Sequence, residues 1–370
     1  MPPVEAWAKV AVDAAFADTL HGAIACTDCH GGTSTEYDME AAHEGVVRDP
    51  DPIEACGSCH AQLAQDHYSS LHGGLEGYFT VLAERSSPEK WPQVIEMYDN
   101  HCADCHASCG QCHVSRPTSA GGGLLSGHEF RGTPPMNLTC TGCHGSRVND
   151  EYKGKNEMPE GGTFAADVHF NPNGMACQDC HTGAEMHLPQ DGEDPTHRYD
   201  GERDPVCADC HASVGGEADT NPQHSEGHLG DLSCQVCHSI SYKNCYSCHV
   251  QQNEEGTAFF TIDESEMTLA IGLNPEKTDE RPWSYVVLRH VPIDPQSFEF
   301  YGDDLLPNFD ARPTWVYATP HNIQRITPQN QSCDSCHGNP EVFLTPERVA
   351  PEELEANRKV IVEEVPPLPY

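Results

Sequence analysis

Apolar residues along the 370-residue chain fall in short, scattered groups, and few of these hold one period long enough to specify a long element. Val4 to Leu20 is Ala-rich, with Trp7, Val10, Ala14 and Ala17 on one side of an expected helix that ends before His21-Gly22 and presents His21 at its end. Residues 78–85 and 88–99 read as two more helices, the second with Pro88 near its start. From 114 to 250 the pattern is loop upon loop, with Gly121-Gly122-Gly123 and Gly161-Gly162 marking flexible connections. Beyond 251 the period shifts toward two. Thr257 to Ile262 and Met267 to Ile271 flank an acidic turn and predict a β-hairpin, and Trp283 to Ile293 predicts a further strand. Pro351 to Glu364 predicts a short helix, followed by a Pro-rich tail whose default is to fray. No run of 18 apolar residues exists, so no helical membrane span is expected.

A chain this poor in periodic apolar surface needs another source of order, and its 20 cysteines supply one. Every one belongs to a Cys-x-x-Cys-His unit: Cys26/Cys29/His30, Cys56/Cys59/His60, Cys102/Cys105/His106, Cys109/Cys112/His113, Cys140/Cys143/His144, Cys177/Cys180/His181, Cys207/Cys210/His211, Cys234/Cys237/His238, Cys245/Cys248/His249 and Cys333/Cys336/His337. This is the attachment signature of haem c, in which two thiols form thioethers with the porphyrin vinyls and the adjacent histidine reaches the iron. Paired zinc knuckles or a secreted disulfide framework would also use Cys-x-x-Cys, but neither requires the trailing histidine. Between the third and fourth units only Ala107 and Ser108 intervene, so two large flat cofactors are forced side by side. Ten porphyrins, one per 37 residues, would provide apolar surface that other proteins find in Leu, Ile and Phe.

Ten of the 23 histidines are spent as proximal ligands, which leaves 13 for the opposite faces of the irons. Those in loops that approach a unit are the favoured distal ligands: His21, His43, His72, His128, His169, His187, His197, His228, His290 and His321. His67, His101 and His224 are spares, His101 because it abuts Cys102. An iron held by two imidazoles has no open position for substrate, so electron transfer at low potential is the expected chemistry and no catalytic residue is nominated.

The formal charge is −38, with 58 acidic against 20 basic residues, only seven of them Lys. Nucleic acid is therefore a poor partner, and redox proteins with basic faces or extracellular electron acceptors are better ones. The acidic run from Asp191 to Asp204 has the oxygen ligands to hold Ca²⁺, and equally the composition of a solvated loop. Met1 to Glu5 lacks the basic and apolar regions of a signal peptide, yet covalent haem attachment takes place outside the cytoplasm. A mature or truncated chain with an extracellular or cell-surface address, or alternatively a periplasmic one, is expected.

Three stretches carry a resemblance: Ser70-Leu71-His72-Gly73, the run from Leu229 to His238 followed by Tyr242-Lys243-Asn244-Cys245, and Ala318-Thr319-Pro320-His321-Asn322. They resemble the octahaem tetrathionate reductase and hydroxylamine oxidoreductase group of multihaem proteins. That group keeps one haem open, sometimes with a Lys in a Cys-x-x-Cys-Lys unit, which implies a reductase or oxidase of small nitrogen or sulfur compounds; here all ten units end in His. The chain is also similar to extracellular cytochromes that polymerise into conductive filaments, which implies self-assembly and a histidine of one subunit ligating a haem of the next.

The expected fold is organised by haem, mostly irregular loops with short α-helices and a small β element. Four regions succeed one another along the chain: 1–100 with units one and two and connecting helices, 101–250 with units three to nine, 251–332 without cysteine and with the hairpin, and 333–370 with the last unit and the tail. The expected function is long-range electron transfer through a chain of bis-histidine haems, and not enzymatic turnover.

Overall fold

Short elements arise from the motif spacing. In a helical turn, residues three apart share a face, so a single turn presents both thiols of a Cys-x-x-Cys pair to one side. The chain forms such turns at Cys26–His30, Cys109–His113, Cys140–Cys143, Cys207–Cys210 and Cys234–His238, with 3-10 turns at Cys177–Asp179 and Cys333–Ser335. The second Cys-x-x-Cys-His motif begins on a π turn at Pro52–Cys56, capped by Asp51 through the amides of Ile53 and Glu54. The computed structural model describes residues 5–103, 108–117, 120–188, 204–244, 247–263, 268–291 and 293–369. Cys105, His106, Cys245, His197 and residues 191–203 of the acidic run lie outside the described residues.

The architecture is short helices, two small antiparallel sheets and long irregular stretches. Two compact units are each assembled from three segments: Met1–Thr80, Cys102–His144 and Ala176–Asp204 in the first, and Val81–His101, Gly145–Met175 and Pro205–Tyr370 in the second.

In the first unit the expected N-terminal helix is replaced by three 3-10 turns, at Ala6–Lys9, Ala14–Asp18 and His21–Ala23. Asp13 breaks the periodicity: its backbone is extended, its carboxylate caps the amide of Ala15, and its own amide donates to the Gly127 carbonyl. Trp7 and Val10, the expected apolar face, are 70% and 69% exposed, so no packing compensates for the lost helical hydrogen bonds.

The second unit holds the sheets. The strands β1 (Ser247–Gln252) and β2 (Ala258–Asp263) form a hairpin, and β3 (Leu269–Leu273), β4 (Tyr285–His290) and β5 (Trp315–Tyr317) form a three-stranded sheet in that order. The expected pairing of 257–262 with 267–271 is thus incorrect: β2 pairs instead with the strand that carries Cys248 and His249. The turn chemistry lies at Asn253 to Thr257, where Asn253 Oδ1 accepts from the amides of Glu255 and Thr257 and Gly256 takes φ +77°. In β3 the first four residues are buried, which suits the inner layer against β4 and not an exposed hairpin.

Around β3 sits the main apolar core, with Ile271, Val287, Phe343, Val362, Tyr242 and Phe164 buried together. The C-terminal segment belongs to it: Val360, Ile361 and Val362 are buried, Leu273 donates to the Val360 carbonyl at 2.9 Å, and Val362 donates to Leu344 at 2.8 Å. The Pro-rich tail beyond Glu364 is tied down as well, by Gly338, which donates to the Pro366 carbonyl at 2.8 Å, and by the His337 ring, 2.8 Å from the Pro367 carbonyl. A Cβ at Gly272 would come within 2.7 Å of the Val360 carbonyl oxygen, so glycine there permits the approach of the tail. The expected helix at 351–364 is reduced to a 3-10 turn, Pro351–Glu353, and one α turn, Leu354–Asn357, because the residues beyond extend into this sheet edge. Expected helices at 78–85 and 88–99 are present as Glu76–Arg85 and Trp91–His101.

Candidate functional site

The motif thiols, alike in the sequence, differ in their surroundings. Cys26, Cys59, Cys143, Cys180, Cys207, Cys210 and Cys333 are exposed, and the other described thiols are half-buried. Cys180 and Cys336 depart from the expected single turn that carries both thiols. Each lies just past a 3-10 turn as its C-terminal cap, with its amide donating to the Cys177 or Cys333 carbonyl at 3.2 and 3.3 Å, so the tighter turn ends before the second thiol; of the two, Cys180 is exposed and Cys336 half-buried.

Histidines of the motifs stand opposite histidines from elsewhere in the chain. Within the first unit, ring centroids are 6.4 Å apart for His60 and His21, 5.9 Å for His30 and His128, 6.2 Å for His144 and His72, and 5.9 Å for His113 and His187. Within the second, they are 6.0 Å apart for His211 and His169, 6.3 Å for His238 and His224, and 6.0 Å for His337 and His228. Each pair takes one histidine from a Cys-x-x-Cys-His unit and one from outside. Two imidazoles bound linearly to one metal ion at about 2 Å each have centroids roughly 6 Å apart. The gap is wider than ring stacking requires and matches that spacing, as does the 6.2 Å between His67 and His187, neither of which belongs to a motif.

Local sequence places the non-motif partners. His72 sits in the helix Leu71–Gly74 capped by Ser70, His187 ends the helix Gly183–His187 capped by Thr182, and His228 lies in Glu226–Asp231 capped by Ser225. His128 adopts φ +76°, a strained conformation of the kind that concentrates at functional sites. His21 is held by Phe130, whose ring stacks on it at 3.9 Å and 7°.

The ring nitrogens are set for ligation. Nδ1 lies 2.8 Å from the Val47 carbonyl in His30, 2.5 Å from Arg131 in His113, 2.8 Å from Gly183 in His187, 2.9 Å from Gln223 in His228, 2.9 Å from Gln324 in His238 and 2.8 Å from Pro367 in His337. A carbonyl only accepts, so Nδ1 carries the proton and donates, and Nε2 keeps its lone pair for a metal. Carboxylates do the same work for His169, through Asp167 at 2.8 Å, and for His224, through Asp219 at 2.7 Å. Burial drives the pKa of His72 down to about 4 and lowers those of His128 and His187, which keeps these rings neutral and able to ligate at neutral pH.

Other candidates stand elsewhere. His101 Nε2 bonds the Tyr301 hydroxyl at 2.9 Å with Phe260 edge-on, and His290 Nε2 lies 3.1 Å from the Glu353 carboxylate with Trp315 alongside. His43 Nδ1 bonds the Met39 carbonyl at 2.6 Å, and His67 lies edge-on to His187 at 6.2 Å. His321 donates its amide to the buried Glu151, which also meets Arg289 and Tyr242. Burial raises the pKa of Glu151, opposed by Arg289. Among the motif histidines, His181 Nδ1 bonds Glu185 at 2.8 Å, and its pKa is raised by that bond. Among the described motif histidines His249 alone lies on a strand, with Nε2 3.3 Å from Asp294.

Sequence reasoning did not foresee His224 opposite His238, nor the orienting carboxylates. A usable signal was the acidic residue a few positions before the ring, Asp167 before His169 and Asp219 before His224. Among the described residues no cluster of three or more His, Cys, Asp or Glu converges as a metal site of its own, so the geometry offers opposed imidazole pairs and not a tetrahedral zinc knuckle.

No protein-family model matches the chain, and neither does any curated protein. Among solved structures it is similar to the crystal structure of an octahaem cytochrome c from Shewanella oneidensis, with a TM-score of 0.35 and 16% identity, over 60% of this chain. The match covers 61% of that chain, less than two thirds of its length.

Proposed function

We propose that this chain is a decahaem c-type cytochrome that carries electrons over long distances outside the cytoplasm. The observation that carries this reading is the set of opposed histidine pairs, each joining a motif histidine to an outside one across a gap that fits an iron. The residues present fit haem c: motif thiols on or beside a single turn or strand edge, a motif histidine with its lone pair free, and a second imidazole opposite. The exposed sulfurs, Cys180 among them, suit attachment to a porphyrin that would cover them. When bound, haem supplies reversible one-electron chemistry.

The chain's own residues then decide what that chemistry is used for. Two imidazoles at each paired site would hold the iron and leave it no place for substrate, and carbonyls and carboxylates at Nδ1 would make the rings more basic and favour the ferric state. The acidic surface acts in the same direction and suits basic redox proteins or extracellular acceptors as partners. Assembly into a filament and an extracellular or cell-surface address extend the same proposal. It is tested by the intact mass of the purified protein after acid–acetone extraction, which strips non-covalent haem. Ten haem additions are expected, with negative midpoint potentials in a reductive titration; a mass without haem, or clearly positive potentials, would refute it.

A further inference from the structure

The opposed histidine pairs differ in the twist between their rings. When two imidazoles bind one iron along a common axis, the angle between their planes is the twist about that axis, and it decides which iron d orbitals the ligands act on. Planes that lie together act on one orbital and separate it from its partner; crossed planes act on both alike. Two pairs lie close to parallel, His60 with His21 at 26° and His113 with His187 at 17°. Four are strongly crossed, at 69° for His30 and His128, 68° for His144 and His72, 65° for His211 and His169, and 57° for His238 and His224. His337 with His228 is intermediate at 43°.

What holds the twist differs between the two near-parallel pairs. His113 and His187 are both tied at Nδ1, to the carbonyls of Arg131 and Gly183, so hydrogen bonds orient both rings. Among the described residues the His21 ring makes no hydrogen bond. Phe130 lies flat on it instead, with 3.9 Å between centroids and 7° between planes. The last torsion of a histidine is soft, but a ring covered on one face cannot turn without driving its edge into the cover. Phe130 is itself placed by its surroundings. The Arg131 amide donates to the His113 carbonyl at 2.9 Å, the Arg131 carbonyl accepts from His113 Nδ1, and the Phe16 ring lies 6.3 Å from Phe130 at 20°. The turn that carries His21 is pressed on the same Phe16, since a Cβ at Gly22 would fall 1.9 Å from the Phe16 carbonyl oxygen. His128 supplies the contrast: Phe130 stands 5.6 Å from it and tilted by 57°, not flat on its face, and the pair of His128 with His30 is crossed.

Resting on the decahaem reading, we propose that Phe130 is a positioning residue of the second haem: it holds the His21 ring near-parallel to that of His60 and so sets the electronic asymmetry of that ferric iron. Phe130 touches neither iron nor electron-transfer partner in this role. It acts through the plane of one axial ligand, and its 40% exposure is the consequence of stacking on a ring at the surface of the first unit.

Electron paramagnetic resonance of the frozen, oxidised, haem-loaded protein tests this, because near-parallel ligand planes give a rhombic three-line low-spin signal and crossed planes a single low-field line. The native protein should show rhombic signals from at least the two near-parallel haems, alongside low-field lines from the crossed ones. Phe130→Leu should remove one haem's share of the rhombic signal while every iron stays low-spin, and Phe130→Tyr, which keeps the flat cover, should restore it. A rhombic share unchanged in Phe130→Leu, its loss in Phe130→Tyr as well, or a native spectrum without rhombic signals would overturn the proposal while leaving ten low-spin haems and the decahaem reading in place. A high-spin signal in Phe130→Leu would overturn it too, by showing that Phe130 keeps His21 on the iron and does not merely orient it. A protein that carries no haem at the motifs would overturn both readings.

Discussion

The two compact units solve the same problem with different materials. The second buries a polypeptide core around β3, closed by the returning tail. In the first, among the described residues, only Ala64, Leu75, Val114 and Pro117 are buried apolar side chains, yet it holds the motifs that start at Cys26, Cys56, Cys102, Cys109, Cys140 and Cys177. Trp7, Leu20 and Met39 stand at 70%, 91% and 77% exposure there. Where protein side chains do not provide a core, the proposed haems would, and their thioethers would supply the cross-links that a Gly- and Pro-rich chain needs.

The largest effect that this contrast predicts is on the chain made without haem attachment. Limited proteolysis should then cut the first unit throughout its length, while a fragment containing β3, β4, β5 and the tail persists. Equal loss of both would show that the second core also depends on haem.

Next in size is Phe343→Ala, which empties a site 2% exposed at the centre of that core and should cost about 3–5 kcal/mol. Chemical denaturation of the haem-loaded protein, monitored by far-ultraviolet circular dichroism, would measure it. A loss below about 1 kcal/mol would mean that the sheet is not what stabilises the second unit.

A smaller, local effect is expected from His228→Met. One haem should rise in potential by some part of the roughly 0.8 V that axial ligands command, with the other midpoints unmoved. His290→Met should leave every midpoint in place, since His290 faces Glu353 and Trp315. A potentiometric titration showing the reverse would exchange their roles.

The smallest effect is with pH. Amides of Gly215 and Asn221 and the His224 ring hold the Asp219 carboxyl down to about 2, from its ordinary 3.8. A carboxylate lowered by folding stabilises fully above its ordinary value and loses that contribution as pH falls through the lowered one. The haem opposite His238 should therefore change its visible spectrum between about pH 4 and 2, and Asp219→Asn should abolish that transition.

Legibility tracked the physics of each element. The motifs and the short-element, loop-rich fold were readable because a fixed spacing of chemistry-bearing residues dictates a single turn. The helices at 76–85 and 91–101 were readable because tertiary packing agrees with their periodicity: Arg85 is buried, donating to the carbonyls of Phe309, Arg312 and Pro313, and Val94 and Met97 are buried. The N-terminal helix was misread because Ala-rich propensity is weak without a surface to pack on, and Asp13 offers the backbone another partner. The hairpin was misread because an apolar run does not name its partner strand, and the deciding turn at Asn253 to Gly256 lay one element earlier. Spacing also does not show that His224 faces a motif histidine or that His290 Nε2 lies against Glu353, or that Cys180 falls outside the turn that holds Cys177, because these depend on how neighbouring and distant segments pack.

The central claim is that the irons are gripped from both sides by imidazole. Cyanide titration of the oxidised haem-loaded protein, read by absorbance and electron paramagnetic resonance, tests it most directly. A wholly low-spin ferric spectrum that cyanide leaves unchanged is predicted; a high-spin component that cyanide converts to low-spin would contradict it, exposing an open iron and a reductase or oxidase site.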